Sequence, residues 1–201
     1  GQNVVGWVEL TIRGAEEGDR IRIEHAETLL EDGSLNQIDL RSADATDTYV
    51  AAGEDVETYR PRFTYHGFRY VRVEGYPGDL DPDDVEARAV HTDLDEGGDF
   101  DCSNDELAGV QHNAEWGLRG NLHGVLTDCP QRDERFGWTG DNHIASRALM
   151  YNFDAAGFYE KWTADHDNDQ TPGGCLASTI PFGYGTRPSD PTWTITRVTI
   201  P

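Results

Sequence analysis

Between Thr127 and Asp141 the chain reads TDCPQRDERFGWTGD, which sets four carboxylates (Asp128, Asp133, Glu134, Asp141), two arginines (Arg132, Arg135) and Trp138 into fifteen positions. Residues of these types at this density suit the hydrolysis of a glycosidic bond. That reaction needs a protonated carboxyl to give its proton to the leaving oxygen, and carboxylates to stabilise an oxocarbenium-like centre. A tryptophan packs on the apolar face of a sugar, while Asp and Arg grip hydroxyls through charge-assisted hydrogen bonds. The same stretch also reads as an acidic surface loop with an arginine–carboxylate network and a core tryptophan, and composition alone does not separate the two.

The elements that must hold this segment fall into two groups. From Gly1 to about Asp95 the apolar residues recur with period two between short turns: Val8, Leu10 and Ile12 share one face, Ile21 and Ile23 alternate with Arg20, Arg22 and Glu24, and Val71 and Val73 alternate with Tyr70 and Arg72. That is the pattern of an antiparallel β-sandwich. After the acidic, glycine-containing stretch at 93–99 the period becomes helical, so the boundary is placed between residues 98 and 99, with a β domain over 1–98 and a helical one over 99–201. Ser103 or Asn104 can cap a first helix, along which Leu107, Val110, Ala114 and Leu118 fall on one face. Thr139 can cap a second, with Asp141 in its first turn where the helix dipole favours a carboxylate, and Asp154 a third. From about Asn168 the chain is rich in Gly, Pro and Thr and reads as loop.

Composition narrows the partners. Asp and Glu number 38 against 16 Lys and Arg, of which Lys161 is the single lysine, for a net charge of −22. Such a charge repels itself at low ionic strength, whereas molar salt contracts the Debye length to about 3 Å. Short hydrated carboxylates with almost no lysine describe a chain adapted to high salt. Nucleic acid is excluded as a partner because no basic patch is present, and no stretch has the apolar length of a membrane span. Cys102, Cys129 and Cys175 are odd in number, far apart and in no CxxC arrangement, so they support neither a disulfide framework nor a zinc site. No metal and no cofactor are expected, since acidic runs such as DLDPDD lack the spacing of a calcium loop. The free cysteines, the composition and the lack of a signal peptide in GQNVVGWVEL favour the cytoplasm. His25 and His66 read as strand-packing residues, and Trp7, Trp116 and Trp162 as core. Both ends read as cut, the first within a strand pattern and the last, TITRVTIP, without a polar tail.

The segment TDCPQRDERFGWTGD resembles the signature of the bacterial-type α-L-rhamnosidases, glycoside hydrolase family 78. GQNVVGWVEL, EHAETLLEDGSL, LRSADATDTY and YRPRFTYHGFRYVRVEGY are similar to the β-sandwich that precedes the catalytic domain in that family, so the resemblance covers nearly the whole chain. It implies a β-sandwich followed by the first helices of an (α/α)6 barrel, and an enzyme that removes terminal α-L-rhamnose with inversion from rhamnose-containing glycosides or oligosaccharides. By the same resemblance the acidic residue after Pro-Gln-Arg-Asp, Glu134, is the general acid, and Asp128, Arg132, Trp138 and Asp141 are rhamnose-binding. Trp193 matches a pocket-lining tryptophan of the family, although Thr194, Ile195 and Thr196 depart from what usually follows it.

An (α/α)6 barrel needs twelve helices and this chain supplies about three. The family's general base is a glutamate whose surroundings nothing in 142–201 matches; Glu160, Asp165 and Asp190 stand at generic positions and none is carried over. The expectation is a fragment holding the acid half of an inverting pair, inactive alone. Two other readings stay open: a non-catalytic carbohydrate-binding or accessory module in which the sandwich is the working part, and a glycosidase of the same barrel acting on another sugar.

Overall fold

The computed structural model describes residues 1–200, which fall into two compact units: Gly1–Val90 with Pro130–Asp133, and His91–Cys129 with the chain from Glu134 onward. The division lies just upstream of the acidic stretch at which the periodicity changes.

The first unit is a β-sandwich. Its strands are β1 (Val4–Arg13), β2 (Arg20–Ala26), β3 (Thr46–Val50), β4 (Val56–Tyr59), β5 (His66–Phe68), β6 (Tyr70–Glu74) and β7 (Val85–Ala89). One sheet is built on β1, which pairs antiparallel with β7 along one edge and with β4 and then β5 along the other. The second sheet has the order β3-β2-β6. The period-two residues Val8, Leu10 and Ile12 of β1 and Ile21 and Ile23 of β2 are buried in one core with Phe68 and Ala51. Each such aliphatic side chain withdrawn from water contributes about 1.5–3 kcal/mol before entropy is counted. His25 and His66 pack in the strands as their setting predicted: both are buried, and their rings stack with centroids 4.2 Å apart. His25 Nδ1 donates to the Ala45 carbonyl at 3.0 Å, and His66 Nε2 meets Asp47 Oδ1 at 3.0 Å.

The second unit is helical: α1 (Asp105–Asn121), α2 (Thr139–Asn152), α3 (Ala156–Asp169) and two single turns, α4 (Pro191–Thr194) and α5 (Thr196–Thr199). Its core joins Leu118, Leu122, Leu149, Phe153, Phe158, Tyr159 and Trp162 to Ala177 and Ile180 of the Gly- and Pro-rich segment. Trp162 is the core tryptophan expected; its Nε1–H donates to the Ile180 carbonyl at 3.0 Å, whereas Trp7 and Trp116 are half-buried. Asn104 caps α1, its side chain accepting from the N–H groups of Glu106 and Leu107. The other two caps differ from expectation. Trp138 occupies the cap position of α2, and Thr139, already helical, sends its hydroxyl to the Ser178 carbonyl. Ala155 occupies that of α3, with Asp154 Oδ1 accepting from Ala156 N–H at 3.4 Å. The apolar stripe of α1 is buried only at Leu118; Leu107, Val110 and Ala114 are exposed. The fold is thus a sheet domain followed by helices of an incomplete barrel. No helix among the described residues is long and apolar enough to cross a membrane.

Candidate active site

The chain leaves α1 through a short bridge between Leu122 and Leu126 and enters the carboxylate-rich loop at Thr127. Asp128 closes the neck of that loop. Its N–H donates to the Phe136 carbonyl at 3.0 Å, and Phe136 N–H donates back to Asp128 Oδ1 at 2.8 Å. Between these two residues the chain gives Pro130–Asp133 to the first unit and returns at Glu134. Arg135 then turns with a φ of 62°, a left-handed conformation rare outside glycine. Trp138 follows at the start of α2, where its indole Nε1–H donates to Glu134 Oε1 at 3.0 Å. The tryptophan therefore meets Glu134 through its polar edge.

The start of α2 is tied down from the Gly- and Pro-rich segment. Thr139 N–H donates to the Ser178 carbonyl at 2.9 Å, and Ile180 N–H to the Gly137 carbonyl at 2.9 Å. This pairing brings Tyr184 edge-on to Trp138, with centroids 5.9 Å apart, and stacks it on Phe136 at 5.6 Å. Trp193 completes the group, its ring 5.3 Å from that of Trp138. Asp190 positions it by capping α4: its Oδ1 accepts from Thr192 N–H at 2.8 Å and from the Thr192 hydroxyl at 2.5 Å, and the hydroxyl, then the N–H, hold the carboxyl below its ordinary range. Gly140 is required here, because a Cβ at that position would lie 2.5 Å from the Trp193 ring.

Of the six residues singled out in the sequence, Asp128, Glu134, Trp138, Asp141 and Trp193 lie in the second unit. Asp128 and Asp141 line a cavity of about 290 Å³ walled by Leu118, Leu126 and Ile144. Trp138 and Trp193 line another of about 230 Å³ with Ser178 and Asp190. Glu134 connects the two sets, hydrogen-bonded to Trp138 and with carboxylate oxygens of Asp128 and Glu134, and Cys129 Sγ, all within 4.8 Å of one another. Arg132 belongs to the first unit, with Gln131 and Asp133. Tyr184 and Phe136 are part of the aromatic wall without having been singled out; an aromatic in a Gly- and Pro-rich run was the available signal for Tyr184.

Among the described residues, two clusters have metal-ligand chemistry. Asp128, Cys129 and Glu134 could offer two carboxylates and a thiolate to a cation. His25, Asp47 and His66 also converge, but their imidazole planes are stacked at 23°. A metal ion lies in the plane of each ring that binds it, so two stacked rings do not share one ion without turning.

Comparison with known proteins gives the family and the fold. Residues 95–201 match the profile of the bacterial alpha-L-rhamnosidase 6 hairpin glycosidase domain, and residues 1–91 that of the bacterial alpha-L-rhamnosidase concanavalin-like domain. An alpha-L-rhamnosidase of Streptomyces avermitilis is 43% identical over 181 residues, which are 90% of this chain and 18% of that protein. Among solved structures, the alpha-L-rhamnosidase from Dictyoglumus thermophilum superimposes with a TM-score of 0.97 at 46% identity, covering 99% of this chain and 22% of its own. The Streptomyces avermitilis alpha-L-rhamnosidase complexed with L-rhamnose superimposes with a TM-score of 0.95 at 40% identity, covering 99% and 19%. This chain spans about a fifth of the length of the relatives it matches.

Proposed function

Because this chain belongs to the bacterial α-L-rhamnosidase family, we propose that it carries the acid half of a site that hydrolyses terminal α-L-rhamnose from rhamnosides with inversion. Glu134 is the general acid in this reading, and the arrangement of Asp128, Glu134 and Trp138 is what supports it. With Oε1 accepting from the Trp138 N–H, the acid proton is carried on Oε2 and passes to the glycosidic oxygen as the C–O bond breaks. The positive charge that develops at the anomeric carbon is offset by neighbouring carboxylates, Asp128 first among them. Asp128 and Asp141 bind hydroxyls, and Trp138 and Trp193 present apolar ring surface to the sugar. Water then attacks from the opposite face and gives its proton to a base.

Asp128 is not that base. An inverting pair stands about 6.5–9.5 Å apart to admit a water, and the Asp128 and Glu134 oxygens lie within 4.8 Å. Asp165, paired with Lys161 at 2.6 Å, and Asp190, capping α4, are already in use. We assign the base to sequence outside these 201 residues, and the chain alone should show only background hydrolysis of an aryl α-L-rhamnoside.

The close approach of Asp128 and Glu134 favours one competing reading, a retaining mechanism with Asp128 as nucleophile, since retaining pairs stand about 5–5.5 Å apart. Only its Oδ2 could then attack, Oδ1 being held by Phe136 N–H. The test is the anomer released first, followed by proton NMR in a polypeptide of the relatives' full length that contains this chain. β-L-Rhamnose supports inversion, and α-L-rhamnose overturns it. In the same polypeptide Glu134→Gln should slow natural glycosides about 10²–10⁴-fold more than substrates with an activated aryl leaving group, which need little protonation. Equal slowing of both would remove Glu134 as the acid and turn attention to Asp133.

A further inference from the structure

The edge of β1 that carries β4 and β5 is interrupted by an excursion that the sheet does not need. Tyr59 stands opposite Leu10 and His66 opposite Gly6, so six residues, Arg60 to Tyr65, run where β1 offers three, Trp7 to Glu9. The extra length is looped out, with Arg62 and Phe63 in its middle. Its ends are anchored, because Pro61, His66 and Gly67 are buried, and β1 keeps β7 as its partner along Trp7–Glu9 on the other edge.

The side chains in the middle of the excursion are of types that a folded chain covers or pairs. Phe63 is fully exposed and holds a φ of 61°, the left-handed region in which a bulky residue is an outlier. Single exposed aromatics are common. A strained backbone that holds an aromatic ring clear of the protein is not, and such strain gathers at segments that bind. Arg62 is exposed and makes no ion pair among the described residues, and Arg60 reaches Glu9 only at 4.0 Å. From 58 to 72 the sequence holds four arginines and no acidic residue, in a chain with 38 of the latter.

The chemistry of this loop selects its partner. An exposed aromatic ring between two guanidinium groups fits an apolar hollow with carboxylates on its rim. A freely diffusing acidic partner, a second copy of this chain included, would have to approach against a net charge of −22. A segment of the same polypeptide is held at high effective concentration and meets no such barrier. This chain spans about a fifth of the length of the relatives it matches.

We propose that Phe63, with Arg60 and Arg62, is an anchor that docks into an acidic-rimmed apolar hollow on the sequence that the relatives carry beyond this chain. The proposal rests on family membership and on no role of Glu134. The test is hydroxyl-radical labelling, read by mass spectrometry, of Phe63 in the 201-residue chain and in a polypeptide of the relatives' full length that contains it, both in molar KCl. Oxidation of the ring should be about tenfold slower in the longer polypeptide, because an interface anchor sits in a pocket that excludes water. Arg60→Glu with Arg62→Glu in the longer polypeptide should bring back most of the oxidation with circular dichroism unchanged, since charge contacts at a covered interface survive salt that screens exposed ones. Equal oxidation of Phe63 in the two unaltered polypeptides overturns the proposal. So does protection in the 201-residue chain that grows with its concentration, which would put a second copy on Phe63. Protection that the two glutamates leave intact overturns it as well, because the partner would then have no acidic rim.

Discussion

Lowering the pH should unfold this protein through His25 before the carboxylates that the fold stabilises are lost. The ring is buried in the sandwich, and burial, followed by the neighbouring His66, brings its pKa down from 6.5 to about 4 against the opposing pull of the Ala45 carbonyl and Asp47. Because the folded pKa lies below the unfolded one, the unfolded chain binds the extra proton between these values. The contribution of His25 to stability is complete above pH 6.5, falls as pH drops through that window and is fully lost below about 4. At about 1.36 kcal/mol per pH unit the gap is worth about 3 kcal/mol, a large part of the 5–15 kcal/mol of a typical domain.

His123 and His166, both lowered first by burial, act in the same direction. Glu57, lowered first by the Ala52 N–H, loses its contribution only as pH falls below its ordinary value of 4.5. A variant is therefore needed to isolate His25. His25→Asn keeps a donor for the Ala45 carbonyl and removes the titration. Urea denaturation at about pH 7 and about pH 4 in constant molar salt, followed by far-UV circular dichroism, should show the unaltered chain losing about 3 kcal/mol more than the variant. Relief of the repulsion among carboxylates is common to both proteins and cancels in the difference. Equal losses in the two would refute the reasoning.

A net charge of −22 with one lysine should make the folded state depend on salt; circular dichroism from molar KCl to low salt should show unfolding, and unchanged structure throughout would sink the reading of salt adaptation. Gly140→Ala should displace the Trp193 ring from Trp138 and destabilise the protein by about 1–3 kcal/mol, seen as a change in tryptophan emission and a lower denaturation midpoint. Trp162→Phe removes the indole donor to the Ile180 carbonyl and leaves a void, so it should cost about 2–4 kcal/mol in thermal denaturation, more than Trp116→Phe at a half-buried site.

Local rules carried much of this protein. The period-two residues of 1–90 place Leu10, Ile12, Ile21 and Ile23 in one core because a strand sends alternate side chains to one face. Asn104 caps α1 as its side chain chemistry dictates, and the density of carboxylate, arginine and tryptophan at 127–141 marked the candidate site. Periodicity names the face that seeks cover and not what covers it. The helical spacing of Leu107, Val110 and Ala114 was plain, yet the described residues leave that face in water. Nor could spacing show that Asp128 spends one oxygen on the neck of its loop, that Arg132 belongs to the first unit while Glu134 belongs to the second, or that Tyr184 stacks on Phe136. The last of these was decided by pairings between distant positions, Thr139 with Ser178 and Gly137 with Ile180. Their backbone donors and acceptors find partners only once α2 and the Gly- and Pro-rich segment have packed together.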